Sequence, residues 1–263
     1  MSVVITVFNQ KGGVGKSTTV INLSSALALR GKKTLIVDMD PQGNSTSGLG
    51  IYEFNNMIYD FLIDEEKDSI YETGFNKLDI IPSSGEFAGV EIELAKYDAW
   101  QFKLKKMIDK VKDNYDFVII DSPPSLGVLS MMSLVASDKI LIPVQCEYYA
   151  LEGLGQLINT INLVKKHLNK NIEIEGALLT MYDARTNLSN QVVKEVKRYF
   201  EDKVYKNVIP RNVKLSEAPS YRMPITLYDP RSKGAKSYEK FTREFLKINE
   251  EEQKAAKHMK KGE

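Results

Sequence analysis

The chain is poor in the residues that thiolate, redox and metal chemistry need. Its 263 residues hold one cysteine, Cys146, and two histidines, His167 and His258. A lone cysteine cannot close an intrachain disulfide, nor by itself build a thiolate-ligated zinc or iron–sulfur site. It fits a reducing, cytoplasmic setting. His167 lies in a helical pattern beside Lys165 and Lys166 and reads as a solvated surface residue. There is no charged segment leading into an apolar signal stretch, and no apolar run long enough to span a bilayer. Neither sign of charge is in excess: 36 Lys and Arg face 35 Asp and Glu. Any polyanion must therefore be met by a local patch and not by a global field. Repeats and Pro/Gly/Ser-rich linkers are also missing.

What the chain does have is alternation. Apolar, β-branched runs stand at 3–8, 34–37, 78–81, 117–120, 140–144 and 177–181, with a last short one at 204–209. Most are continuously apolar, as strands covered on both faces should be. Helical patterns lie between them. Val20, Leu23 and Leu27 mark the first, with Gly31 as its C-cap. Leu157, Ile161, Val164 and Leu168 mark another over 150–168, and 59–62 reads as a short helix. This order predicts an α/β fold, doubly wound, with a mostly parallel sheet flanked by helices. One domain is expected over residues 1–248, then a polar tail over 249–263 that is a fraying helix end or disordered.

Between the first strand and first helix stands Asn9-Gln10-Lys11-Gly12-Gly13-Val14-Gly15-Lys16-Ser17-Thr18. Strand, glycine loop, helix is the context of a phosphate-binding loop, which makes the fold one of P-loop NTPase type. The glycines let the backbone curl around phosphate oxygens, and the loop amides and helix N-terminus face the negative charge. Lys16 is placed for the β/γ-phosphates and the Ser17 hydroxyl for Mg²⁺. The motif departs from the common form at one end. Gln10 stands where the pattern wants glycine, and a second lysine, Lys11, follows it.

Two further strings belong to the same sheet edge. The second strand leads into Asp38-Met39-Asp40-Pro41-Gln42-Gly43-Asn44. Alternation points Asp38 and Asp40 to one side, and Pro41 with the Gly/Asn/Ser residues after it predicts a mobile loop. The run Phe117-Val118-Ile119-Ile120-Asp121 has the form of a Walker B strand, whose Asp121 carboxylate would hold Mg²⁺ through water.

Together, Lys11–Thr18, Asp38–Asn44 and Asp121-Ser122-Pro123-Pro124-Ser125 resemble the deviant Walker A ATPases of the ParA/MinD superfamily. Three later strings, over 143–153, 180–186 and 209–220, are similar to the chromosomal ParA proteins called Soj. The resemblance runs from residue 1 to about 248. It implies an ATP-dependent homodimer with two nucleotides between the subunits and Lys11 crossing to the partner's phosphates. It implies catalytic roles for Lys11, Lys16 and Asp40, the last positioning the attacking water. It implies ATP and Mg²⁺ as cofactors, nucleotide contacts by Lys11, Gly12, Gly13, Val14, Gly15, Lys16, Ser17 and Thr18, and metal contacts by Ser17 and Asp121. Pro210 and Asn212 match the segment that contacts adenine. Arg185 and Lys214 match basic positions that bind double-stranded DNA nonspecifically, and Arg211, Arg222, Arg231, Lys233 and Lys236 could extend that patch. A ParB-type protein is the implied partner, and the expected location is the cytoplasm, on the nucleoid.

The superfamily serves other jobs, and residues argue against several. The tail past Ile248 offers only Ala255, Ala256 and Met259 as apolar residues, too little for a membrane-anchoring helix. Cys146 alone cannot make the cluster of a nitrogenase iron protein. No tyrosine cluster follows Tyr238, as a tyrosine kinase of this group would need. The loop begins about ten residues from Met1, which leaves no room for a helix-turn-helix region. An ATP-switched DNA-segregation ATPase is the first reading, and a relative that positions another cargo along the nucleoid is the second.

Overall fold

The computed structural model describes residues 2–64, 67–87, 89–147 and 153–259. Among them run seven strands: β1 (Val3–Val7), β2 (Thr34–Asp38), β3 (Tyr71–Glu72), β4 (Leu78–Ile81), β5 (Phe117–Asp121), β6 (Lys139–Gln145) and β7 (Glu173–Thr180). The helices are α1 (Lys16–Leu29), α2 (Asn44–Gly48), α3 (Ile58–Ile63), α4 (Val90–Leu94), α5 (Lys103–Val111) and α6 (Val128–Ala136), then α7 (Leu154–His167), α8 (Asn187–Phe200), α9 (Val213–Glu217), α10 (Ile225–Tyr228) and α11 (Lys233–Met259). The strands form one sheet in the order β3-β4-β2-β5-β1-β6-β7. Every pairing is parallel except β3 with β4. The expected doubly wound α/β architecture is what the chain adopts.

The apolar runs explain the layers. Alternate strand residues point to opposite faces. Ile5, Val7, Ile36 and Ile119 pack under α1 and α11, against Leu23, Leu27, Phe241 and Phe245. Val4, Leu35, Val37 and Val118 pack on the other face against Leu104 and Ile108 of α5 and Met132 of α6. The β6–β7 side has its own core with Leu157, Ile161 and Val164 of α7 and Val192 and Val196 of α8. Helix α1 ends as predicted. Gly31 takes a φ of 83°, where a side chain would be strained, and its amide closes on Ala28 O.

Three expectations change. The run 204–209 is not a strand. It meets β7 at an isolated bridge, Ala177 with Val204, and through the Ile209 amide on Leu179 O at 2.8 Å, and a second bridge joins Tyr182, past the end of β7, to Pro210. The reason is Glu244 on α11, whose carboxylate accepts from the amides of Lys206 at 2.8 Å and Asn207 at 3.0 Å and pulls that backbone out of the ladder. The segment after Pro41 is not a simple loop but α2, with Ser45 and Thr46 fully buried. Helix α11 continues through 249, the position where the polar tail was expected to start, and Asn249 is buried on Glu175 and Phe245 O. Residues 150–152 of the expected 150–168 helix, 148–152 of the 143–153 string, and Lys260 and Lys261 lie outside the described residues.

Candidate nucleotide-binding site

The parallel sheet brings the C-terminal ends of β1, β2, β5, β6 and β7 to one edge, and the glycine loop lies there. Gly13 and Gly15 carry φ of 74° and 91°, backbone that favours glycine. The loop is fastened from both sides. Asn9 donates to Pro143 O at 2.8 Å and accepts from the Lys11 amide at 3.0 Å. Thr180, at the end of β7, donates to Val14 O at 2.8 Å. Gln10 donates to Gly153 O at 3.2 Å, which places its side chain against the start of α7 instead of leaving a bare turn.

Lys16 opens α1 and folds back across the loop, its ammonium donating to Lys11 O at 3.1 Å. It is nearly buried, and burial above all holds the ammonium below the usual lysine range. The Asp121 and Asp40 carboxylates pull it back up, so both lie within electrostatic reach of Lys16. Lys11 is half-buried at the mouth.

The acidic residues divide. Asp38 and Asp121 are paired in register on β2 and β5 and are fully buried. Asp38 accepts from the Thr46 amide at 3.0 Å, the Thr46 hydroxyl at 2.7 Å and the Asp40 amide at 3.2 Å. Burial, with Asp121 adding to it, pushes its carboxyl well above the usual range. Asp121 Oδ2 accepts from the Ser45 hydroxyl at 2.6 Å, while Oδ1 has no hydrogen-bond partner among the described residues. Its carboxyl is raised to about 6, by burial first. The Ser45 and Ser17 hydroxyls counter this in part. Asp40 lies past the end of β2, with Oδ1 accepting from the Gln42 amide at 3.0 Å.

A buried carboxylate oxygen without a partner, next to a serine hydroxyl, supplies oxygen ligands of the kind a hard divalent cation takes. Ser17 and Asp121 therefore fit Mg²⁺. Beside the loop opens a cleft of about 360 Å³, lined by Gly15, Thr18, Thr180, Pro210, Asn212 and Pro219 among others. Asn212 is committed in part to capping α9, accepting from the Lys214 amide at 2.9 Å.

Arg185, in the turn before α8, and Lys214, in the first turn of α9, stand on adjoining segments, joined where Tyr182 and Pro210 bridge and the Arg211 amide donates to Tyr182 O at 3.2 Å. Each has an acidic neighbour. Arg185 grips Asp183 with two bonds, at 2.9 and 2.7 Å, and holds that carboxyl down at about 2. Lys214 pairs with Glu217 at 2.8 Å. Sequence reasoning did not find Ser45, Thr46 or Thr180. Hydroxyls in an Asn-Ser-Thr-Ser run read as turn residues, and only the fold turns them toward carboxylates.

Loop, paired carboxylates and side cleft define a P-loop nucleotide-binding protein. A protein-family model described as an AAA domain matches residues 2–174. The sporulation initiation inhibitor protein Soj of Bacillus subtilis is 58% identical over 242 residues, 90% of this chain and 96% of that protein. The chromosome partitioning protein ParA of Myxococcus xanthus is 48% identical over 248 residues, 93% of this chain and 88% of that one. The solved structure of the septum site-determining protein MinD complexed with Mg-ADP, from Pyrococcus horikoshii, matches with a TM-score of 0.79 at 28% identity, covering 95% of this chain and 98% of that one. The chain belongs to the ParA/MinD superfamily of deviant Walker A ATPases, on its Soj branch. Among the described residues, no helix is long and apolar enough to cross a membrane.

Proposed function

We propose that this protein is a Mg²⁺-dependent ATPase of DNA partition, which dimerises on ATP, binds DNA without sequence preference and is reset by hydrolysis. The observation that carries the reading is the assembly at one sheet edge of the two-lysine loop, Asp40, the half-satisfied Asp121 and the side cleft. The names of its Soj and ParA relatives point the same way.

Phosphoryl transfer needs positioning and charge neutralisation more than covalent chemistry. Loop amides from Gly12 to Thr18 and the Lys16 ammonium take the phosphates. Nearly buried, Lys16 acts in a low-dielectric setting, where its charge counts for more than in water. Ser17 and Asp121 would hold Mg²⁺, which supplies neutralisation of the β- and γ-phosphate charge. Asp40 orients the attacking water. Pro210 and Asn212 flank the base in the cleft. Lys11, at the loop mouth, reaches the phosphates of a second subunit and makes the dimer depend on ATP.

Arg185 and Lys214 serve as DNA contacts. Their acidic pairs are solvent-exposed, and such pairs are weak, so phosphate oxygens can replace them. Joining two monomers doubles the patch and gains about 10²–10⁴ in apparent affinity without new contacts. A ParB-type partner stimulates hydrolysis, and the protein works in the cytoplasm on the nucleoid. The test is retention on random-sequence duplexes with ATP and with ADP at several salt concentrations. ATP-dependent retention that falls steeply with salt is expected. Equal retention in both nucleotides, or preference for one sequence, would contradict the reading.

A further inference from the structure

The two buried carboxylates at the edge of the sheet are satisfied in different ways. Asp38 is sealed, with both oxygens taken by Thr46 and the Asp40 amide. Asp121 is half open, with Oδ2 on Ser45 and Oδ1 without a hydrogen-bond partner among the described residues. Both hydroxyls come from adjacent residues of α2, so one short helix touches both acids.

That helix is pinned. Gly43 enters it with a φ of 59°, and a Cβ there would lie 2.7 Å from the Ser83 carbonyl oxygen. The Ser83 amide donates to the Thr46 hydroxyl at 2.9 Å. The same segment fixes Asp40 from below. The Gly43 amide donates to Asp40 O at 2.9 Å and the Gln42 amide to Asp40 Oδ1 at 3.0 Å. Residues 38–46 thus form one hydrogen-bonded unit. Asp121 belongs to another element, the central strand β5, and Ser45 Oγ bonds it to this unit. Ser45 and Asp121 are both fully buried, so water has little access to replace the bond if it breaks.

Resting on the nucleotide and cation reading above, we infer that Ser45 is a positioning residue. Its hydroxyl ties the carboxylate left open for the cation to the segment that carries Asp40. Cation binding at Asp121 and the ordering of Asp40 are then coupled through one charge-assisted hydrogen bond. A side chain of one rotatable bond transmits such a shift with little slack. The neighbouring Thr46–Asp38 bonds, on an acid with no open oxygen, serve as the fixed anchor.

The test is amide hydrogen exchange over residues 39–50 in the ADP complex, with and without Mg²⁺, alongside calorimetric ADP affinity in both conditions. In the parent chain Mg²⁺ should tighten ADP and slow exchange in this segment about tenfold, the weight of one hydrogen bond to a charged group. Ser45→Ala should still bind ADP but lose the slowing. Ser45→Thr, which keeps a hydroxyl, should restore it. Ser47→Ala, which removes a hydroxyl that donates to Gly43 O at the N-cap of the same helix, should keep it. Should the alanine variant not fold, Ser45→Cys, of similar volume and weaker donor strength, gives the same readout. Undiminished slowing without the Ser45 hydroxyl overturns the inference. No effect of Mg²⁺ on ADP affinity in the parent chain overturns instead the nucleotide reading beneath it.

Discussion

Replacing Asp121 with asparagine should stabilise the protein without nucleotide while removing its response to Mg²⁺. The carboxyl is raised from 3.8 to about 6, and burial is the first cause. Two pKa units at about 1.4 kcal/mol each amount to about 3 kcal/mol. The sign follows from proton binding. Between about pH 4 and 6 the folded protein keeps a proton that the unfolded chain has released. The associated stability is fully present below about pH 4 and is lost as pH rises through about 6. Asparagine carries no charge to desolvate, and its amide oxygen can still accept from Ser45. The variant should match the parent near pH 4 and exceed it by up to about 3 kcal/mol near pH 8, a stability cost placed at a functional site. Urea unfolding across this range, without nucleotide, measures the difference. An asparagine variant less stable than the parent near pH 8 would refute the reasoning.

Asp40→Ala should still bind Mg·ATP through Ser17, Asp121 and the loop, yet accumulate as an ATP-bound dimer with hydrolysis lost, as single-turnover assays would show. Arg185→Glu or Lys214→Glu should abolish retention on DNA in ATP, with the ATP dimer intact by sedimentation. Glu244→Gln should weaken the fastening of 206–207 and lower stability by about 1–3 kcal/mol in urea unfolding, leaving ADP affinity unchanged.

The parallel strands were legible because they are buried on both faces, so β1, β2, β4, β5, β6 and β7 each appear as an apolar run. The glycine loop and Asp121 were legible because phosphate and cation chemistry restricts residue type at fixed spacing. Strand β3 was not, since Tyr71–Glu72 is too short to carry a pattern. The run 204–209 looked like a strand because its apolar content is the same whether its amides meet β7 or Glu244, and Glu244 lies far along the chain. Asp38 and Asp40 looked alike in sequence. Only the position of α2 seals the first with Thr46 and leaves the second free to act on Lys16. Arg185 and Lys214 could be singled out by position, but their acidic partners Asp183 and Glu217 emerge only from side-chain geometry.

The proposed function turns on Lys11 making assembly depend on ATP. Size-exclusion chromatography with light scattering, run with ATP, with ADP and without nucleotide, tests it on the parent chain and on Lys11→Ala. The parent chain should be a dimer in ATP alone, and Lys11→Ala a monomer in all three conditions even though Lys16 still binds ATP. A Lys11→Ala protein that dimerises in ATP as the parent does, or a parent chain whose mass ignores the nucleotide, would contradict it.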